Sequence, residues 1–332
     1  MIVLGRALVT LGPQATDTIS SIFAPVSTPA MKEADLSKLV LVLSAIVFVV
    51  VGGLIAYNLM HFRARAGEQD TEPPQVYGSA QVEAAWTVVP LVIIVVLMLA
   101  TARVIHEVQA APQPANAVEA TIVGRQWWWE IRYPKLGVVT ANELHVPVSD
   151  STVRRPTWLT LESADVSHSF WIPRLAGKTD VIPNRTNHTW VEPFTTGTYL
   201  GQCAEYCGTQ HAHMLLRVVV ETPEQFARWV EQQRQAPAAE PGVDSGRRIF
   251  LGTACISCHT VAGTVANGRY GPDLTHLMAR ATIGAGVAPN TKEKLRAWVK
   301  KPDDLKHGAL MPAMQLDDKQ LDQLVDYLLT LR

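Results

Sequence analysis

The stretch Cys203-Ala-Glu-Tyr-Cys207-Gly-Thr-Gln-His211-Ala-His213-Met214 gathers two thiols, two imidazoles, a carboxylate and a thioether within twelve residues, a density that points to metal. Soft sulfur with imidazole and a weak Met is the donor set of copper electron-transfer sites, and a thiolate needs a nearby positive charge to stay deprotonated at neutral pH. A tetrahedral zinc site built from two Cys and two His would leave Met214 unused, because zinc takes thiolate, imidazole and carboxylate. A disulfide between Cys203 and Cys207 would explain neither His211 nor Met214. A two-copper centre requires one further imidazole, and His168, in Asp165-Val-Ser-His168-Ser-Phe-Trp, is the best-placed candidate upstream.

A chain of 332 residues exceeds the usual size of one domain, so two or three compact units are expected. Hydrophobic residues make up 48% and charged residues only 18%, which leans toward a membrane component. The net charge of -1 gives no global pointer to nucleic acid. The four cysteines come as two pairs, Cys203 with Cys207 and Cys255 with Cys258, each inside a cofactor-type motif. No thiol then remains for a structural disulfide.

Working outward toward the beginning, residues 1–34 open with a short apolar run broken by Arg6 and Gly12, too interrupted for a signal-peptide core. Leu39 to Met60 and Trp86 to Ile105 are two apolar runs of bilayer-crossing length. Two crossings make a hairpin with the loop from His61 to Ala85 on the opposite side from both ends. Arg63 and Arg65 in that loop are balanced by Lys32 and Lys38 beside the first run, so charge does not orient the hairpin. Glu83, in Val82-Glu83-Ala-Ala-Trp86-Thr-Val-Val-Pro90, has two readings: an acid favoured at a helix N-terminus, or an ionisable group doing work at a membrane edge.

From Val118 the texture becomes period-two alternation, as in Val118, Ala120 and Ile122 against Glu119 and Thr121, and Leu159 and Leu161 against Thr160 and Glu162. Short strands punctuated by Pro147, Pro173, Pro183 and Gly197 predict an antiparallel sandwich or barrel. Gln126-Trp127-Trp128-Trp129-Glu130 is expected in the first of these strands, where three adjacent tryptophans cannot share one face. An exposed large aromatic marks contact with a partner. Thr222-Pro223-Glu-Gln-Phe226 predicts a capped helix with Phe226, Trp229 and Val230 on one face, dissolving in the Pro/Ala-rich stretch Gln235 to Gly242.

Beyond that linker stands Cys255-Ile-Ser-Cys258-His259, the covalent haem c motif, with His259 on one side of the iron. A thioredoxin-type Cys-x-x-Cys is the rival, and the immediate His favours haem. Leu295, Trp298 and Val299 predict a helical face stopping at Lys301-Pro302. Leu321, Leu324, Val325, Leu328 and Leu329 predict a last helix opened by a capping box at Asp317 and Gln320. Between them, Gly308-Ala-Leu-Met311-Pro-Ala-Met314 offers two sulfurs for the far side of a haem. Pro312 holds Met311 in a loop, whereas Met314 lies close to the helix start and reads as packing.

Cys-x-Glu-x-Cys-Gly-x-x-His-x-x-Met after an upstream Asp-Val-x-His-Ser resembles subunit II of cytochrome c oxidase, and with the cytochrome c tail it is similar to the caa3 type of bacterial oxidase. The resemblance implies a multi-domain chain: an N-terminal segment 1–34, a transmembrane hairpin 35–107, a cupredoxin-like Greek-key β-barrel 108–235, a linker 236–243 and an all-α class I cytochrome c domain 244–332. It implies a binuclear copper centre, CuA, with Cys203 and Cys207 as bridges, His168 and His211 as terminal ligands, and Met214 and the Glu205 carbonyl as weak ligands. It further implies Mg or Mn on the Glu205 side chain and Trp127 as the port for electrons, with Trp128 where the family has Tyr. Pro272 in Gly271-Pro272 should accept the proximal His259 proton, Met311 should be the sixth haem ligand, and Glu83 should stand at the entrance of a proton path.

The implied function is the electron-accepting subunit of a respiratory haem-copper oxidase, passing electrons from haem c to CuA and on to subunit I, where oxygen is reduced to water and protons are pumped. The implied partners are subunits I and III, an upstream cytochrome c or cytochrome bc complex, and membrane lipid. The C-terminal domains should face the periplasmic side of a bacterial inner membrane, because haem is attached there. A copper component of a nitric or nitrous oxide reductase, and a membrane-tethered copper carrier, are the alternatives. The hairpin with Glu83 and Trp86 argues against the first, and the haem motif against the second. A quinol oxidase subunit would lack the copper ligands present here.

Overall fold

The computed structural model of the chain describes residues 21–63, 75, 77–110, 113, 115–149, 154–237 and 240–332. The opening run with Arg6 and Gly12, and Arg65 in the hairpin loop, lie outside the described residues. Contacts divide the chain into two compact units, residues 31–112 and the remainder.

The first unit is built from two long helices, α1 (Thr28–His61) and α2 (Ala80–Gln109). Both are long and apolar enough to cross a membrane. Side chains such as Phe48, Leu59, Met98 and Leu99 point outward, which in water would be costly and in lipid is not. Pro90 sits inside α2, where an apolar surround and neighbouring turns tolerate it. Lys32 near the start of α1 pairs with Glu107 near the end of α2, and Arg103 shares that carboxylate at 2.8 Å. That pairing brings the two outer ends together, as a hairpin requires.

The second unit begins with a β domain of ten strands: β1 (Val118–Arg125), β2 (Trp128–Tyr133), β3 (Val138–Ala141), β4 (Glu143–Pro147), β5 (Thr157–Ser163), β6 (His168–Ile172), β7 (Ala176–Val181), β8 (Asn187–Val191), β9 (Gly197–Cys203) and β10 (Leu215–Glu221). They form two five-stranded sheets, ordered β3-β2-β1-β5-β8 and β4-β10-β9-β6-β7. The predicted alternation holds: Ala120, Ile122, Leu159 and Leu161 from one sheet meet Phe170, Leu216 and Val218 from the other in a shared core.

The expectation of an antiparallel sandwich or barrel holds for most pairings and is corrected for two. β1 pairs with β5, and β4 with β10, in parallel. Each parallel pair joins strands far apart in sequence, which local alternation does not encode. The tryptophan triplet also sits differently from expectation. Gln126 and Trp127 form the turn after β1, and Trp128 and Trp129 open β2. Successive side chains on β2 therefore diverge: Trp129 is fully buried, while Trp128 is half-buried with the Arg125 guanidinium 5.7 Å from its ring centroid.

Residues just before α1 are stitched to this barrel. Val26 donates to the Arg174 carbonyl and accepts from Phe194, both at 2.9 Å, and Thr28 donates to the buried Glu192 carboxylate. After β10 the chain enters α3 (Pro223–Gln233), opened by a full Thr222/Gln225 capping box with Pro at its start. Phe226 and Trp229 cover the barrel end, with Trp229 edge-on to Tyr133 at 5.4 Å.

The C-terminal helical domain comprises α4 (Asp244–Gly252), α5 (Cys255–Cys258), a two-strand hairpin β11 (Thr282–Ile283) and β12 (Ala288–Pro289), α6 (Lys292–Lys300), α7 (Pro302–Leu305) and α8 (Asp318–Leu328). Phe250, Leu295, Val299, Leu321, Leu324 and Val325 form its core. α4 crosses α8 at Gly246, where a Cβ would lie 2.0 Å from the Gln323 carbonyl oxygen, so no other residue permits that approach. Asp317 caps α8 through the predicted box with Gln320.

Candidate functional site

The two sheets end in loops that bring the predicted donors together. His168 opens β6 and is fully buried. Cys203 closes β9, and the loop that follows delivers Cys207, His211 and Met214. The Cys203 and Cys207 sulfurs lie 3.8 Å apart. Nδ1 of His168 faces the Cys203 sulfur at 3.9 Å, and Nδ1 of His211 faces the Cys207 sulfur at 3.7 Å. The Met214 sulfur is 3.8 Å from Cys207, and the Glu205 carbonyl oxygen is 3.2 Å from the Cys203 sulfur. The cluster is thus near-symmetric, with one imidazole and one weak donor at each sulfur.

Both thiols are free. Their protonation shows why a cation fits between them. Hydrogen bonding from Cys207 pulls the Cys203 thiol far down against burial, with His168 and the Glu205 backbone helping. Cys207 is pushed up by that same interaction and by burial. Two sulfurs this close share one proton, and holding both as thiolates takes a positive charge, which two metal ions supply.

Around the cluster, three details were not legible as site features. Asp165 accepts a contact from Nε2 of His168 at 2.8 Å and takes the Gln126 and Val166 backbone N–H groups at 2.7 Å each. Burial raises its carboxyl, but these three interactions outweigh it and leave the group below its ordinary range. Gly124 lets the ring in, since a Cβ there would sit 2.7 Å from the His168 Cδ2. Trp127 is half-buried rather than exposed, its Nε1 donating to the Cys207 carbonyl at 2.9 Å beside the Gln126 amide at 2.8 Å. The sequence hinted at Asp165, which belongs to the Asp-Val-x-His-Ser pattern, and at Trp127 itself but not at its bond to Cys207; nothing pointed to Gly124.

Of the remaining predicted residues, Glu205 has an exposed side chain next to the cluster, and Glu83 lies exposed in the first turn of α2.

The helical domain presents the second site. Cys255 and Cys258 stand one helical turn apart on α5, both free. Nδ1 of His259 donates to the Pro272 carbonyl at 2.7 Å, which turns Nε2 outward. Burial lowers the His259 pKa and so favours the neutral imidazole that binds iron. Gly271 packs against that ring, where a Cβ would come within 2.5 Å of it. Arg280 is buried, and its Nε has no partner among the described residues. A buried guanidinium with an open N–H beside His259 fits an acidic group such as a haem propionate. Met311 and Met314 both lie half-buried in the loop between α7 and α8. The residues present therefore fit haem c.

Residues 117–222 match the family described as cytochrome c oxidase subunit II, periplasmic domain, and residues 16–104 match its transmembrane domain. Residues 243–332 match cytochrome c. Cytochrome c oxidase subunit 2 of Alkalihalophilus pseudofirmus is 33% identical over 300 residues, covering 88% of this chain and 85% of that one. The protein of the same name from Bacillus sp. strain PS3 is 32% identical over 291 residues, covering 82% and 80%. The one from Bacillus subtilis is 29% identical, covering 90% and 89%. With a membrane hairpin, a barrel whose loops converge on paired cysteines and a haem-binding helical domain, the chain belongs to the cytochrome c oxidase subunit II family, in the form that carries a cytochrome c domain.

Proposed function

We infer that this chain takes up electrons for a respiratory haem-copper oxidase, receiving them at haem c and passing them through a binuclear copper centre to the subunit that reduces oxygen. The observation that carries the reading is the sulfur pair, 3.8 Å apart, with one imidazole facing each sulfur. Cys203, Cys207, His168 and His211, with Met214 and the Glu205 carbonyl as weaker donors, would hold the copper ions. Cys255 and Cys258 would hold haem c covalently, with His259 and Met311 as the side chains offered to its iron. When bound, these groups would supply one-electron carriers, the haem at its iron and the copper pair by sharing the electron between two ions.

The chain's own residues keep geometry fixed while charge changes. Asp165 orients His168, the Pro272 carbonyl orients His259, and the barrel floor of Trp129 and Phe170 keeps the ligand loops from relaxing. Trp127 acts as the port for electrons, its indole hydrogen-bonded to the backbone of a bridging cysteine. The exposed Glu205 carboxylate is suited to a hard cation, Mg or Mn, at the boundary with subunit I. Glu83 at the head of α2 is proposed as the entrance of a proton path. Functional boundaries are proposed at 34/35, 107/108, 235/236 and 243/244.

The protein is membrane-anchored and works within an oxidase complex. We place it in a bacterial inner membrane with the metal domains on the periplasmic side, against subunits I and III, and fed by an upstream cytochrome c or cytochrome bc complex. Absorption and EPR spectra of the purified protein with copper and iron quantified test the reading. The expected result is a delocalised two-copper signal with low-spin haem, and Cys207→Ser should abolish that signal. A spectrum of mononuclear copper or zinc overturns the reading.

A further inference from the structure

The barrel and the cytochrome domain meet through buried polar ties rather than paired surface charges. His276 donates to the Gln233 and Gln235 carbonyls at the end of α3, at 3.1 and 2.9 Å. The Glu143 carboxylate at the start of β4, 3% exposed, takes the backbone N–H groups of Ala281 and Thr282 at 2.9 and 3.1 Å. Leu215 donates its N–H to the Ala285 carbonyl at 3.2 Å, and Gln210 donates to the His307 carbonyl at 2.5 Å. A cavity of about 360 Å³ interrupts the packing between Trp171, Gln202 and Leu215 on one side and Thr282 and Gly286 on the other. Directional bonds, not continuous apolar contact, therefore define how the two domains sit.

Lys306 is the tie that touches the copper loops. It is 4% exposed, and Nζ donates to the carbonyls of Trp127, His213 and Gly284 at 2.7, 2.8 and 2.9 Å. Three acceptors match the three N–H groups of an ammonium, whereas a neutral amine has only two. No ion pair is formed by Lys306 among the described residues, and its hydrogen-bond partners are these three backbone carbonyls, which offset part of the cost of its burial. Its chain segment leads, five residues on, to Met311. On the same segment, a Cβ at Gly308 would lie 3.5 Å from Thr209 of the copper-ligand loop.

We propose that Lys306 is a positioning residue that locks the cytochrome domain onto the copper domain in one pose, joining the Met311 loop to the backbone of Trp127 and of the ligand loop at His213. The proposal rests on the electron-transfer reading above. In the locked pose one electron leaves the haem iron, which is oxidised, and enters the copper pair, which is reduced, without a diffusional encounter. The backbone of Trp127 is then occupied by this chain's own domain, and a soluble donor must deliver its electron to the haem.

The test uses the full chain in the intact oxidase, comparing the parent with Lys306→Met and with Lys301→Met, an exposed cation nearby, as control. Light-triggered haem reduction gives the haem-to-copper rate, and hydrogen exchange reads the amides of Leu215, Ala281 and Thr282. Lys306→Met should slow transfer and speed exchange by at least about tenfold, a docking change of about 1.4 kcal/mol, with haem absorption and copper EPR unchanged. Rates and exchange equal to the Lys301→Met control overturn the proposal. As a measurement that needs no variant, the parent's amides should stay protected in about 1 M salt, where surface charge is screened, and loss of protection there also overturns it. Absence of a two-copper signal in the parent would sink the electron-transfer reading, and the exchange comparison would still decide the lock.

Discussion

Nε2 of His168 lies 2.8 Å from Oδ1 of Asp165, so the ring's other nitrogen is the one presented to the Cys203 sulfur, 3.9 Å away. A carboxylate behind an imidazole fixes its tautomer and its aim, and here the carboxylate is itself held by two backbone N–H groups. Asp165→Asn keeps the volume and loses the charge. Copper affinity should fall by about 10- to 100-fold, the usual cost of losing such a partner, with the cysteines still binding. Competition titration against a copper chelator measures this, and an unchanged affinity would show that Asp165 serves the loop alone.

Met311 and Met314 compete for the sixth haem position from one loop. Met314 lies three residues before the Asp317 cap, and its carbonyl accepts the Leu316 N–H at 2.8 Å, which ties it to the start of α8. Met311 is backed by Pro312 and lies farther from that helix start. Met311→Ala should turn the haem high-spin, make it reactive to carbon monoxide and erase the sulfur-to-iron band in the near red. Met314→Leu, a nearly volume-conserving swap, should cost under about 1.5 kcal/mol and leave the spectrum as it was. The reverse pattern would exchange the assignments.

Glu192 anchors the segment before α1 to the barrel, accepting from Thr28 and from Arg154 at 2.6 Å. Burial raises its pKa, but the hydrogen bonds from Arg154 and Thr28 and the Arg154 charge outweigh it, so the folded value lies below the ordinary one. A lowered carboxyl adds stability above the unfolded pKa of about 4.3, and that stability is lost as pH falls through the folded value. The melting difference between the parent and Glu192→Gln in detergent should therefore be constant from pH 7 to about 5 and shrink below about 4.3. A gap that widens on acidification would contradict the assigned partners.

Residues 244–332 carry 12 Lys and Arg against 9 Asp and Glu, and residues 106–235 carry 11 against 13, opposite signs that suggest attraction across solvent, but the structure uses a different means. Glu143 and Lys306 are both buried; Glu143 is satisfied by backbone N–H groups of the other domain, and Lys306 by two carbonyls of the other domain and one of its own. In sequence, Lys306 follows Asp303, Asp304 and Leu305 and reads as one more solvated charge. Its role exists only because Trp127, His213 and Gly284, distant in the chain, converge on one point.

The sequence alone determined what is local. Two apolar runs, the helix cap at Thr222, the capping box at Asp317, the haem-binding Cys-x-x-Cys-His and the ligand loop after Cys203 were legible, because each is decided by residues within a few positions of one another. Tertiary structure decided what depends on distant partners. The parallel pairings of β1 with β5 and β4 with β10, the turn that divides Trp127 from Trp129, and the hydrogen bond from a cytochrome-domain lysine to the Trp127 carbonyl follow from long-range register and domain packing. Period-two alternation tells a strand which face is apolar, but not which strand lies beside it. A charged side chain tells the reader that it needs partners, but not whether water or three carbonyls will provide them.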